Sequence, residues 1–324
     1  MNPFICKAQI AGSRINALLN ILRSEPYIGQ KARVHSVFHR VVNIEYDGEL
    51  LSLVCERLGN DRNYLVVKLP ANLNFFAIGL ERGMDVTVAG NILKIDKVLF
   101  VDCDKVMIWL GRCLSDLTWK GDGLSGANVY AFQNALCCWG AKSGLVKLIA
   151  SHDHPLTEKI QLLSKVIYAN KKDDLHEVVS GLLGYGPGLT PSGDDFLHGF
   201  VAAASTGLDY HDLIDELYGS INSNLKATNE ISSSFLRKAM AGCFHEYLQE
   251  TIHAVTRGGI EDVTAAVRTL ITLGATSGTD IAVGIYLGFY MQLIRYRYEG
   301  NKILNFNNGK GERIIDVCKN YSTN

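Results

Sequence analysis

The sequence lacks any Cys-x-x-Cys pair. Its eight cysteines, Cys6, Cys55, Cys103, Cys113, Cys137, Cys138, Cys243 and Cys318, are scattered along 324 residues. That spacing excludes a zinc ribbon or a redox dithiol motif and leaves free thiols in a reducing cytoplasm as the simplest reading. No basic segment followed by an apolar stretch stands at the N-terminus, so no signal peptide is expected. Long apolar runs are missing too. The longest, Ile281 to Met291, falls short of the roughly 20 residues that a membrane helix needs and reads as a helix buried in protein. Charge of one sign is also lacking: 32 Lys and Arg against 33 Asp and Glu give a net charge of −1. No long-range field then draws in nucleic acid or acidic lipid, and no basic stripe marks a nucleic-acid binder. Lys171-Lys172, followed at once by Asp173-Asp174, reads as solvated surface.

What is present divides the chain in two. With 47% apolar and 20% charged residues the composition is that of a globular protein with a sizeable core. After a short helical pattern near Ile15 to Arg23 the chain turns β-like. "RVHSVFHRVVNIEY" and "ELLSLVCE" flank Asp47-Gly48, a strong hairpin signal. "NYLVVKL", "DVTVAG", "NILKID", "KVLFVD" and "KVMIWLG" continue the pattern to about Gly111, which predicts a small antiparallel sheet or barrel. From about Ser125 the apolar spacing becomes helical. We therefore expect an α+β protein with a β-rich domain at residues 1–115 and a mainly helical domain at residues 116–324. The polar stretch from Tyr298 onward is assigned no structure.

The helical half carries an internal echo. "SGDDFLHGF" begins at Ser192 and "SGTDIAVGI" at Ser277, and both read Ser-Gly-x-Asp-apolar-x-x-Gly-apolar. Each follows a glycine-rich turn, "GYGPGLTP" or "LGATSG", and each opens an apolar helix. The plain explanation is a capping box, in which Ser and Asp of one motif serve the same helix start, with Gly199 and Gly284 allowing a neighbouring helix to approach. A box does not account for Gly184, Gly186, Gly188 and Asp194 crowded into one turn. Glycines admit a ligand to the backbone, and free amides at a helix start attract anions. Two carboxylates at that start repel a bare phosphate. Either a divalent cation such as magnesium bridges them, or the acids accept N–H groups of the ligand, or they only cap. No Gly-Lys-Ser/Thr follows the glycines, so this is not a Walker loop. Nor is it the dinucleotide fingerprint, since the surroundings are helical.

Other candidates are weaker. His198 shares a helix face with Asp194 and Asp195 and reads more simply as a partly buried hydrogen-bonding residue than as a metal ligand. His152 and His154 in "SHDHP" read as a surface turn. In "TNEISSSFLRKAM" one of Ser232, Ser233 and Ser234 is the expected cap, while Thr228, Asn229 and Glu230 are near enough in sequence to line the same cleft. Arg237, Lys238 and Arg268 read as solvent-facing.

The segment "GYGPGLTPSGDDFLHGF", the helix start "TNEIS" and the later "SGTDIAVG" occur in the order that marks the AllH-like proteins. The chain resembles them over most of the helical half and the β-rich front. The resemblance implies one of three subunits of oxamate carbamoyltransferase, an activity of anaerobic allantoin breakdown that exchanges a carbamoyl group between oxalurate and carbamoyl phosphate. It implies partner subunits and a small anionic ligand such as carbamoyl phosphate or oxamate. Matched to that chemistry, Gly186, Gly188, Thr190, Ser192, Gly193, Asn229, Ser277 and Gly278 are the expected ligand-binding residues. Asp194, Asp195 and Asp280 are the expected catalytic or polar partners, and the ligands of any magnesium ion. Two other readings stay open: a metal-dependent hydrolase of a phosphate or ADP-ribose type ligand, and a non-catalytic scaffold subunit.

Overall fold

The structure, a computed structural model, describes residues 3–24, 32–119, 124–151, 154–169, 171–207 and 211–300. Within it the chain forms two compact units. The first runs to Arg112 and includes His245–Tyr247; the second begins at Cys113. His152, Asp153, Cys318 and the polar stretch beyond Gly300 lie outside the described residues.

The first unit contains strands β1 (Phe4–Gly12), β2 (Ala32–Val37), β3 (Val41–Tyr46), β4 (Glu49–Cys55), β5 (Tyr64–Val67), β6 (Asp85–Ala89), β7 (Ile92–Ile95), β8 (Leu99–Asp102) and β9 (Met107–Trp109). Helix α1 (Ser13–Ser24) follows β1. Alternation sets the inward face. In β6, Val86 and Val88 are buried while Asp85, Thr87 and Ala89 are exposed; in β8, Leu99 and Val101 are the buried pair. The β3–β4 turn holds Asp47 at φ 52° and Gly48 at φ 72°, with Tyr46 opposite Glu49. Both central residues are left-handed, as a two-residue hairpin that matches strand twist requires.

Eight strands close into a barrel in the order β1-β5-β4-β3-β2-β6-β7-β8 and back to β1. Closure depends on β1, which pairs antiparallel with β5 on one edge and parallel with β8 on the other. The β4–β5 pair is parallel as well, so the barrel is mixed rather than wholly antiparallel. Hairpin signals report only strands adjacent in sequence, and these pairings are not hairpins. Ile15, Leu18 and Leu19 of α1 join Val42, Leu53, Leu65 and Phe75 in the barrel core.

The second unit is helical: α2 (Leu114–Leu117), α3 (Gly126–Trp139), α4 (Val146–Ala150), α5 (Thr157–Tyr168), α6 (Leu175–Leu182), α7 (Ser192–Ala204), α8 (His211–Asn224), α9 (Glu230–Met240), α10 (Glu246–Arg257), α11 (Ile260–Leu270) and α12 (Ser277–Gly300). Among the described residues no helix is long and apolar enough to cross a membrane. Residues Gly193–Ala204 of α7 and 278–292 of α12 are buried on all faces. They bury against each other. A methyl group on Gly199 would lie 1.9 Å from Ile281 O, and one on Gly284 would lie 2.1 Å from Phe196 O. Gly288 faces the side-chain methyl of Ala203, at 2.7 Å from such a group. Only hydrogen fits where two backbones touch so closely, which repays the roughly 1 kcal/mol that each glycine costs in helix propensity.

Candidate functional site

The helix crossing brings the two Ser-Gly-x-Asp motifs together, and the contacts are crossed. Hydrogen bonds reach Asp195 from Ser277 and Thr190. Others reach Asp280 from Ser192 and Thr276. Thr190 Oγ1 and Ser277 Oγ lie 2.7 Å apart. The serine that opens each helix thus serves the aspartate of the other. The capping-box expectation fails here. Pro191 occupies the N-cap of α7 and makes no side-chain cap bond. A box is a local device, and here the amides it would have met donate instead to carbonyls of the preceding turn, those of Tyr185 and Pro191.

The glycines beside those serines have a structural cause. Gly193 lies against the last residue of α6, where a methyl group would stand 1.9 Å from Leu182 O. Gly278 lies against the last residue of α11, with Leu270 O at 2.2 Å. Their amides donate to Tyr185 O at 2.9 Å and to Leu273 O at 2.8 Å. Asp195 N and Asp280 N donate to Pro191 O and Thr276 O. The main-chain nitrogens of Gly193 and Gly278 are therefore engaged within the chain. Gly186, at φ 117°, packs against Ser192 N, whereas Gly188, at φ 101°, is exposed with nothing near its α-carbon substituent. Tyr185, Pro187, Gly188 and Leu189 are exposed; Gly186, Thr190, Ser192, Thr276 and Ser277 are half-buried.

Asp194 works on the loop. Its Oδ1 accepts from Gly184 N at 2.7 Å and its Oδ2 from Thr228 Oγ1; Ser232 bonds to it as well. Asn229 caps α9, accepting from Ile231 N and Ser232 N, so the cap is the asparagine and not one of the serines. Its Nδ2 donates to Leu189 O at 2.9 Å, which pins the glycine-rich loop from the far side. Sequence reasoning missed one contributor, the turn between α3 and α4. Ala141 N donates to Thr279 Oγ1 at 3.0 Å, and Leu145 N donates to Asp280 Oδ1 at 2.6 Å. A methyl group on Gly144 would lie 2.5 Å from that oxygen. The glycines of "WGAKSGL" were the available signal.

All three carboxyls are raised from the ordinary aspartate range, chiefly by burial. For Asp194 the bonds from Thr228, Gly184 and Ser232 oppose the rise. Asp195 is pushed up to about 8, with Ser277 and Thr190 opposing and the nearby charges of Asp280 and Asp194 adding to it. For Asp280 the Leu145 amide, Ser192, Thr276 and His154 oppose. Asp195 Oδ2 and Asp280 Oδ2 are buried with no hydrogen-bond partner. Among the described residues no three His, Cys, Asp or Glu side chains are grouped to hold a metal ion. Both oxygens of Asp194 are engaged by donors, so a magnesium site on the three aspartates does not fit. His198 is buried and stacks on Phe235 at 6.0 Å. Arg268 is exposed over the Trp139 ring, and Lys238 sits over Phe235.

A family model described as oxamate carbamoyltransferase subunit AllH matches residues 182–289, the stretch that holds both motifs. A second, described as the AllH family N-terminal domain, matches residues 8–108, the barrel. No solved structure matches the chain. With one model on each unit, and with the crossed motifs inside the first match, the chain belongs to the AllH family.

Proposed function

We propose that this chain is a subunit of an oxamate carbamoyltransferase and that its two crossed helix starts bind the small-molecule substrate. The observation that carries the reading is the convergence of Thr190, Ser192, Ser277, Asp195 and Asp280, drawn from two distant segments, beneath a glycine-rich loop that is open to solvent. Carbamoyl phosphate carries a phosphate and an amide; oxamate carries a carboxylate and an amide. Each ligand has an anionic end for hydroxyls, loop amides and two helix dipoles, and an N–H end for a carboxylate. In this reading Gly186, Gly188, Thr190, Ser192 and Ser277 meet the anionic end and Asp280 accepts from the amide. Asp194 and Asn229 hold the loop in place, while Gly193 and Gly278 let the helix starts approach. Rate enhancement then comes from positioning and charge stabilisation, in a complex with partner subunits in the cytoplasm.

One observation favours a second reading, a scaffold subunit. The amides of Gly193 and Gly278 already have partners in the chain. Among the described residues, no donor grouping favours the metal-dependent hydrolase. Thermal unfolding of the isolated chain with carbamoyl phosphate, oxamate, phosphate or magnesium alone separates these readings. A ligand of the folded state at 100 times its dissociation constant adds about 2.7 kcal/mol. Stabilisation by carbamoyl phosphate or oxamate, lost in S277A, is the expected result. No stabilisation by either one, with transfer activity of the assembled complex unchanged in S277A, would establish the scaffold.

A further inference from the structure

The two aspartates of the crossed motifs are equivalent in sequence but not in surroundings. Asp280 accepts from Leu145 N, a donor that cannot reverse its role, and is 0% exposed. Among the described residues, the side chains that donate to Asp195, 4% exposed, are hydroxyls, those of Ser277 and Thr190. A hydroxyl accepts a proton as readily as it donates one. Each aspartate also has an Oδ2 that is buried without a partner. Two ionised carboxyls in that state would each bear a desolvation penalty with nothing to offset it, and each would repel the other. The penalty is avoided by neutralising one of them, and the one with no obligate donor gives up less.

We propose that Asp195 holds a proton in the folded protein at neutral pH while Asp280 stays ionised, so that the crossing of α7 and α12 is a proton-bound junction. The groups around the pair agree with this. Asp194, next to Asp195 on α7, and Asp280 on α12 both add negative charge near Asp195. Among the described residues, the positive influence on the pair comes from His154, just before α5, and acts on Asp280. The junction is a property of the isolated chain and needs no ligand, so it stands or falls separately from the proposed activity.

The sign of the pH dependence follows. A carboxyl whose folded value is raised binds its proton more tightly in the folded state. Its contribution is full below the unfolded value of about 4 and is lost as pH rises to the folded value of about 8. The test compares melting temperatures of wild type, D195N and D280N from pH 4 to 9. Groups common to all three cancel in the differences. Asparagine mimics the neutral acid, so wild type should fall steadily relative to D195N across that window and run parallel to it above. In D280N the fall should persist but shift to lower pH, because the Asp280 charge no longer raises Asp195. Persistence of the full fall in D195N and its disappearance in D280N would reverse the assignment and overturn it, as would parallel curves for all three. If D195N does not fold, infrared spectra of the wild type decide. A protonated carboxyl band at pH 7 that fades as pH passes about 8 supports the junction, and absence of that band at pH 7 overturns it.

Discussion

The two halves of the internal repeat, α6–turn–α7 and α11–turn–α12, solve the same packing problem with different side chains. Both place a glycine under the last carbonyl of the preceding helix, Gly193 at Leu182 and Gly278 at Leu270, and both place a second glycine at the crossing. They part at the third position of the motif. Asp194 takes donors from Gly184, Thr228 and Ser232 and ties down a long glycine-rich loop. Thr279, its counterpart, takes one amide from the α3–α4 turn through a hydroxyl. They part again at the fourth, where Asp280 has a backbone donor that Asp195 lacks. The shared features belong to packing, and the differing ones to charge. The repeated motif thus carries one strongly anchored acid and one weakly anchored acid at its centre.

The largest effects should come from the shared features. G199A and G284A each force a methyl group into a carbonyl oxygen of the facing helix. Overpacking in a filled core costs typically 1–3 kcal/mol, and a backbone-to-backbone collision belongs at or above about 3 kcal/mol. Urea unfolding should show both losses, of similar size. A loss in one alone would break the equivalence of the halves. G188A is the contrast: its backbone is left-handed but its surroundings are open, so about 1 kcal/mol is expected. Smaller effects should follow the differences. T228V strips a donor from the buried Asp194 carboxyl and should cost about 1–3 kcal/mol. T279V leaves only Ala141 N, on a half-buried residue, so water can replace the bond and a loss below about 1 kcal/mol is expected. A larger loss for T279V would show that the α3–α4 turn, and not the glycine-rich loop, is the part held most firmly.

Much of this was readable in the sequence where the physics is local. Asp47-Gly48 marked its hairpin because left-handed backbone favours those residues. The period of apolar residues marked the change from strands to helices, and the echo of Ser-Gly-x-Asp marked the two helix starts. What was not readable depends on partners distant in the chain. The parallel β1–β8 pairing that closes the barrel leaves no hairpin signal. Leu145 and Asp280 are 135 positions apart, and the glycines of "WGAKSGL" mark a tight turn without announcing which carboxylate it meets. The capping box was the local inference that tertiary structure overrode: Ser192 and Asp195 have the spacing of a box, yet each turns to the other helix. Asn229 shows the opposite outcome, since it caps α9 as local rules allow and also reaches Leu189 O.

The crossed pairing is the claim on which the site rests, and double-mutant cycles on stability test it most directly. Residues in contact show coupling of about 0.5–3 kcal/mol, and separated ones add within about 0.3–0.5 kcal/mol. The crossed pairs, S192A with D280N and S277A with D195N, should couple. The same-motif pairs, S192A with D195N and S277A with D280N, should be additive. Coupling confined to the same-motif pairs would mean two independent capping boxes and would contradict the account.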